Sequence, residues 1–166
     1  MRFFCKNMFE AIKNRATKVL AIDADKILAD ILDDSDIQEK IVQLNQQQLL
    51  AGVGQNDASL PRYQDDPYFK TPEAAKVYEA WKLKISPNPD KPAGVMDFYI
   101  NGQFHSTLQV KNAPKAFTVS SDSSIAGNIQ SKTGNEALGI NDDSLKILIP
   151  IIKEMFLTKI RNAVFA

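Results

Sequence analysis

Apolar residues fall at three- and four-residue steps over positions 9–44 and 145–163 of this chain, and at two-residue steps only between about 95 and 120. That distribution commits most of the chain to helices and leaves room for one small sheet. In the first stretch Phe9, Ile12, Ala16, Val19, Leu20, Ile27, Leu28 and Ile31 share a stripe, with Lys13, Arg15, Asp23, Asp25 and Asp30 on the solvated side. Asp33-Asp34-Ser35-Asp36 breaks the pattern as a turn. Ser35 and Gln38 have capping-box spacing for a second helix, which carries Ile37, Ile41 and Leu44 and stops near Gly52 and Gly54. The last helix is expected from about Asp142 to Ala163, on a stripe of Leu145, Leu148, Ile149, Ile152, Phe156, Ile160 and Ala163, kinked at Pro150.

Between these helices the punctuation is dense. Residues 52–72 read as a loop of about twenty residues, long for a compact domain, carrying Tyr63, Tyr68 and Phe69. Thr71-Pro72-Glu73 has the residues of a helix start, and the helix it opens carries Ala75, Val77, Tyr78 and Trp81. A turn-rich connector, Pro87 to Gly94, follows. Asn101-Gly102 then separates the apolar runs 95–100 and 104–110, which predicts a hairpin. A further strand is expected from Lys115 to Ser120, after a turn at Asn112-Ala113-Pro114. A short helix over 124–132 completes the reading. The expectation is an α+β fold: N-terminal helices, a small antiparallel sheet at about residues 95–120, and a long kinked C-terminal helix. Residues 1–35 would form a helical arm and 36–166 the body of one globular unit.

Composition excludes several classes of function. Twenty basic residues balance twenty acidic ones, so a broad electrostatic footprint for nucleic acid is not expected. One cysteine, Cys5, allows no internal disulfide, and one histidine, His105, removes most zinc sites. No apolar run approaches the ~18 residues of a membrane span. The start of the chain is interrupted by Lys6, Glu10 and Lys13 and lacks the form of a signal peptide.

Few residues offer chemistry. Asp97, His105 and Ser106 are the ingredients of an acid–base or nucleophilic site, but consecutive strand residues point to opposite faces, which argues against a Ser–His pair. Residues 127–134 hold phosphate-loop residue types in the wrong order, since Ser131 rather than glycine precedes Lys132. The clusters Asp33, Asp34, Asp36 and Asp65, Asp66 lack calcium-loop spacing and read as helix capping and solvated loop. No catalytic, cofactor-binding or metal-binding residue is assigned. The aromatics Phe3, Phe4, Tyr63, Tyr68, Phe69 and Phe165 are instead the candidates for contacts with other subunits or partners, the bland reading being that they cover the chain's own core.

The order of several features resembles the small head–tail connector proteins of tailed bacteriophages, the neck or tail-completion proteins. These features are the glutamine-rich helix Gln46-Gln47-Gln48-Leu49 with Gly52, then Tyr63, then Tyr78 with Lys82 and Lys84. Asp97, Asn101-Gly102, Phe104 and Ser106 follow, then Phe117-Thr118-Val119 and Leu138-Gly139-Ile140 before the last helix. The likeness covers about residues 38–163; Asn101 stands where the family pattern has threonine, and residues 1–35 have no counterpart. The resemblance implies a structural virion protein without enzymatic activity, assembled in the host cytoplasm. It would form a ring of unknown copy number and dock to portal-side and tail-side proteins, with DNA only as passing cargo and no membrane contact. Loop 53–70 and connector 86–94 would reach toward the next ring. A cytoplasmic adaptor, or a small hydrolase using Asp97 and His105, are the alternatives.

Overall fold

The computed structural model describes residues 2–113, 116–134 and 136–165, and residues 2–9 by their backbone alone. Three helices open the chain: α1 (Arg2–Leu20), α2 (Ala24–Leu32) and α3 (Ser35–Leu50). The first break comes earlier than expected, at Asp23, whose side chain caps α2 by accepting from the Lys26 amide. The acidic break at 33–36 is a turn, as the sequence predicts. The capping residue there is Asp34, not Ser35, and Asp34 Oδ1 accepts from the Asp36 amide at 3.0 Å. Aspartate is as good a cap as serine, and here it stands one position earlier. Gln38 turns back to donate to the Leu32 carbonyl at 3.2 Å instead of closing a capping box.

The fourth helix, α4 (Pro72–Ile85), starts as read: Thr71 Oγ1 accepts from the Ala74 amide and Pro72 occupies the first turn. A single turn, α5 (Gln103–Ser106), precedes the hairpin β1 (Leu108–Ala113) and β2 (Ala116–Ser121), and α6 (Ala126–Thr133) leads to α7 (Asp142–Phe165). The class is therefore α+β with a long C-terminal helix, in which Pro150 interrupts no residue of the helical run. α7 lies against α1, α2 and α3, and α3 also meets β1. The core gathers Ile31, Ile37, Ile41, Leu44 and Leu49 from the first helices, with Leu60, Val95, Phe104, Leu108, Val119, Ile129 and Leu148. Ile149, placed on the inner stripe by its spacing, faces outward beside buried Leu148.

The sheet is smaller than expected and starts later. Its two strands pair antiparallel from Leu108 with Ser121 to Ala113 with Ala116. Residues 95–100 form no strand beyond one bridge between Val95 and Arg62, and Asn101-Gly102 makes no hairpin. Two aspartate-type turns displace it. Asp97 Oδ1 accepts from the Tyr99 amide at 3.0 Å, and Phe98 between them takes φ +51°. Asn101 Oδ1 accepts from the Gln103 amide at 3.1 Å, and Gly102, at φ +80°, opens α5. Asn-Gly supplied the positive φ of a turn, but the turn enters a helix. Phe104 and His105 are then both buried, which alternation along a strand would forbid.

The glutamine-rich stretch of α3 fastens the segment before α7. Gln48 Nε2 donates to the Gly139 carbonyl at 2.7 Å, and its Oε1 accepts from the Asn141 amide at 3.0 Å. Asn45 Nδ2 donates to the same Gly139 carbonyl at 2.6 Å, and Gln46 Nε2 to the His105 carbonyl at 2.8 Å. Gly139 itself has φ +139°, and an added Cβ would meet Gln55 Oε1 at 2.3 Å. Gln48→Ala strands a buried amide and loosens the start of α7; urea unfolding is expected to show a loss of about 2–3 kcal/mol, the cost of unsatisfied buried partners.

Candidate functional site

The chain places its most unusual electrostatics where α4 meets the segment 91–99. Asp97 is wholly buried. Lys82 Nζ, from α4, lies 2.8 Å from its Oδ1, and Lys91 Nζ lies 3.1 Å from its Oδ2. The two lysine side chains are each only 1% exposed. Lys91 also donates to the Val95 carbonyl at 2.6 Å, and the Tyr63 hydroxyl reaches Asp97 Oδ1 at 3.4 Å. His105 Nε2 donates to the main-chain carbonyl of Asp97 at 2.8 Å, so the neutral ring carries its proton there. Two cations against one carboxylate leave one positive charge inside the molecule.

Burial acts strongly on Asp97, Lys82, Tyr63 and His105. It would push the Asp97 carboxyl up, but Lys82 and the Tyr99 amide outweigh it and hold the carboxyl below its ordinary range. Burial pushes the Lys82 ammonium down against the pull of Asp97. It raises the Tyr63 phenol far above its ordinary value, with the Asp97 charge acting the same way. It also holds His105 below its usual 6.5, despite the carbonyl partner. Folding therefore makes His105 harder to protonate, and on acidification the unfolded chain takes up that proton first. The His105 contribution is full above about pH 6.5 and is lost as the pH falls through the lower folded value. Melting temperatures measured between pH 7.5 and 5, on the order of the ordinary histidine range, are expected to fall with pH in the wild type and to flatten in His105→Gln.

This placement reverses the expected orientation of α4. Ala75 and Lys82 are its buried residues, whereas Val77 is 72% exposed and Trp81 44%. The helix turns its lysine inward onto Asp97 Oδ1, the carboxylate oxygen that Lys91 does not pair, and the apolar pair is carried to the outside. Around it the aromatics form a chain. Tyr63 meets Tyr78 at 5.1 Å between centroids, Tyr78 meets Phe69 at 5.1 Å and Trp81 at 5.4 Å, and Phe69 meets Tyr68 at 5.2 Å. Tyr68, Phe69, Val77 and Trp81 line a shallow outer groove. Behind it a cavity of about 310 Å³ is walled by Tyr63, Tyr78, Phe98 and Ile129, with Lys82 on its wall and Lys132 among its lining residues.

The aromatics expected as contact residues divide. Tyr68 is 78% exposed and Phe69 partly so. Tyr63 is not a surface residue: it is 6% exposed, its ring under Tyr78 and its hydroxyl on Asp97. Phe165 is exposed, with the Arg15 guanidinium 5.1 Å above its ring. The side chains of Phe3 and Phe4 lie outside the described residues. Neither loop reaches outward as a whole. Connector residue Asn88 donates to the Leu50 carbonyl at 3.2 Å, Lys91 is buried, and Val53 bridges to Ser59 within the longer loop. Asp66, read as solvated, is buried and ion-paired with Lys132 at 2.5 Å.

His105 and Asp97 do come together, but through the aspartate's main chain; its carboxylate is occupied by two lysines. Ser106 Oγ donates to the Gln103 carbonyl at 3.0 Å, apart from that contact. Residues 127–134 fall within and just after α6, not in a loop cradling an anion. Among the described residues no three His, Cys, Asp or Glu side chains converge as metal ligands. No described helix is long and apolar enough to cross a membrane. What the sequence reading missed is the pairing of Lys82 and Lys91 with Asp97; the signal was an acid inside the apolar run Val95-Met96-Asp97-Phe98.

No protein-family model matches the chain, and searches of curated proteins and of solved structures returned no match.

Proposed function

We propose that this chain is a structural subunit of the bacteriophage head–tail junction, acting by ring assembly and by docking to portal-side and tail-side proteins. The observation that carries the reading is a pair of separate, uncovered apolar faces. On α1 every residue from Glu10 to Leu20 is exposed, including the stripe Ile12, Ala16 and Val19. On α4 and its neighbouring loop the exposed face is Tyr68, Val77 and Trp81. A ring needs two different complementary surfaces on each subunit, which a symmetric dimer does not. Contiguous uncovered apolar residues are the surfaces that association buries. The buried Asp97 cluster fits the same reading: it pins α4 in the orientation that presents Val77 and Trp81, and leaves its carboxylate sealed from any substrate. The resemblance noted above supplies the virion context. Antibody-gold labelling of intact particles tests it. Label confined to the junction of head and tail is expected; label elsewhere on the particle, or particles free of the protein, contradicts it.

A further inference from the structure

The hairpin leaves one edge of its sheet unpaired, inside a groove that ring assembly does not use. We propose that this edge takes an extended segment of a partner protein as a third strand, held by main-chain hydrogen bonds along β2 and carrying apolar side chains at alternate positions.

The register fixes which groups are free. The Asp122 amide donates to the Thr107 carbonyl at 3.4 Å, one pair beyond the end of the ladder at Leu108 with Ser121. Hydrogen-bonded and non-hydrogen-bonded pairs alternate in an antiparallel ladder. Thr118 and Ser120 therefore bond to β1, and the amides and carbonyls of Phe117, Val119 and Ser121 point away from it. Among the described residues no other main-chain group bonds them. The far edge of the sheet differs: β1 lies against α2 and α3, and its Asn112 Nδ2 donates to the Leu32 carbonyl at 2.8 Å. Natural sheets guard an open edge with lysine, proline or a bulge. β2 reads Ala-Phe-Thr-Val-Ser-Ser and pairs without a bulge, so it carries none of these.

A groove of about 620 Å³ runs along the unguarded edge. It touches every residue from Phe117 to Ser121 and none of β1. A groove over a sheet face would meet alternate residues of both strands; contact with consecutive residues of one strand marks that strand's edge. The opposite wall carries Leu138, Ile140 and Leu145, an apolar surface for every second side chain of an entering strand. Ser120 Oγ is buried beside it without a hydrogen-bond partner, which the entering segment would supply. Free amides and carbonyls two residues apart match an extended backbone and no other ligand. A second copy's β2 is walled in the same way, so two such edges could meet only by displacing both walls. A slender segment outside any sheet enters without that displacement.

A trace of the labelled, blocked hexapeptide Thr-Val-Thr-Val-Thr-Val is titrated with the intact protein and followed by fluorescence polarisation. Two further versions are N-methylated, one at every threonine and one at every valine. A strand presents its amides alternately to its two sides, so only one version loses the donors that face β2. The parent peptide is expected to saturate with a Kd of about 100 μM or tighter. One methylated version is expected to bind about tenfold more weakly or worse, and the other within about threefold of the parent. Amide hydrogen exchange read by NMR is expected to slow at Phe117, Val119 and Ser121 when the peptide is bound. No saturable binding of the parent, equal binding of the two methylated versions, or unchanged exchange at those three amides overturns the proposal. Each of these results leaves the assembly reading, which rests on α1 and α4, as it stands.

Discussion

Asp97→Ala is expected to cost about 3–5 kcal/mol, or to prevent folding outright, because removing one member of a buried ion cluster leaves uncompensated charge. Here the penalty falls on two partners at once, since Lys82 and Lys91 both lose their counter-ion in surroundings that exclude water. The Tyr99 amide also loses its acceptor, so the turn that sets Phe98 at φ +51° loses its lock. Lys82→Met is expected to be milder than Asp97→Ala, because Asp97 keeps Lys91 and the surplus charge disappears. The double variant, Asp97→Ala with Lys82→Met, should recover part of the loss. Urea unfolding of the four proteins gives the coupling directly. Acid unfolding adds a second check. The Asp97 carboxyl is held below its ordinary 3.8, so its contribution is full above that value and is lost as the pH falls through the lower folded one. Asp97→Ala should abolish that part of the acid limb. A change smaller than about 1 kcal/mol, the middle of the range for an ordinary substitution, would mean that the cluster does not hold α4 in place.

The second large effect is on association. Val19→Glu on α1 and Trp81→Glu on α4 are each expected to weaken assembly by about 100-fold or more, since a carboxylate would be buried unpaired in an apolar contact. Val19 lies outside the core of the isolated subunit, so the unfolding free energy of Val19→Glu should stay within about 0.5 kcal/mol of the wild type, whereas Trp81→Glu also loses the ring contact with Tyr78 and should cost about 1 kcal/mol. Stability and association are thereby separated. Urea titration reads the one and light scattering the other. If both variants assemble as the wild type does, the uncovered faces are not the interfaces.

The long helices were legible because burial imposes a period on them. Ile31, Ile37, Ile41, Leu44 and Leu148 occupy the core that their spacing predicts. Thr71-Pro72-Glu73 was legible for a local reason, a cap and a proline whose geometry needs no partner. The region 95–106 was not. Its alternation of apolar residues is real, but Asp97 and Asn101 each accept from an amide two residues on and turn the chain out of the extended form. Those side chains compete locally with a strand, and a buried counter-ion decides the outcome. Spacing also failed to orient α4, for the same cause: Lys82, Lys91 and Asp97 belong to no common periodic pattern and meet only in the fold. Val77 and Trp81 look like core until Lys82 takes the inner position. The glutamines of α3 read as composition, yet two of them hold backbone carbonyls far along the chain. Of the candidate contact residues, Tyr68 is exposed and Tyr63 is buried, because its hydroxyl had a buried carboxylate to find.

Sedimentation velocity of the wild-type chain, alone and with the portal-side protein of the same particle, followed by imaging of the peak species, tests the central claim most directly. The account predicts a single closed ring, formed by the chain itself or on the portal template, in which α1 and the Tyr68–Val77–Trp81 face are both covered. A monomer that persists at every concentration in both mixtures, with these faces still open to solvent, would contradict it.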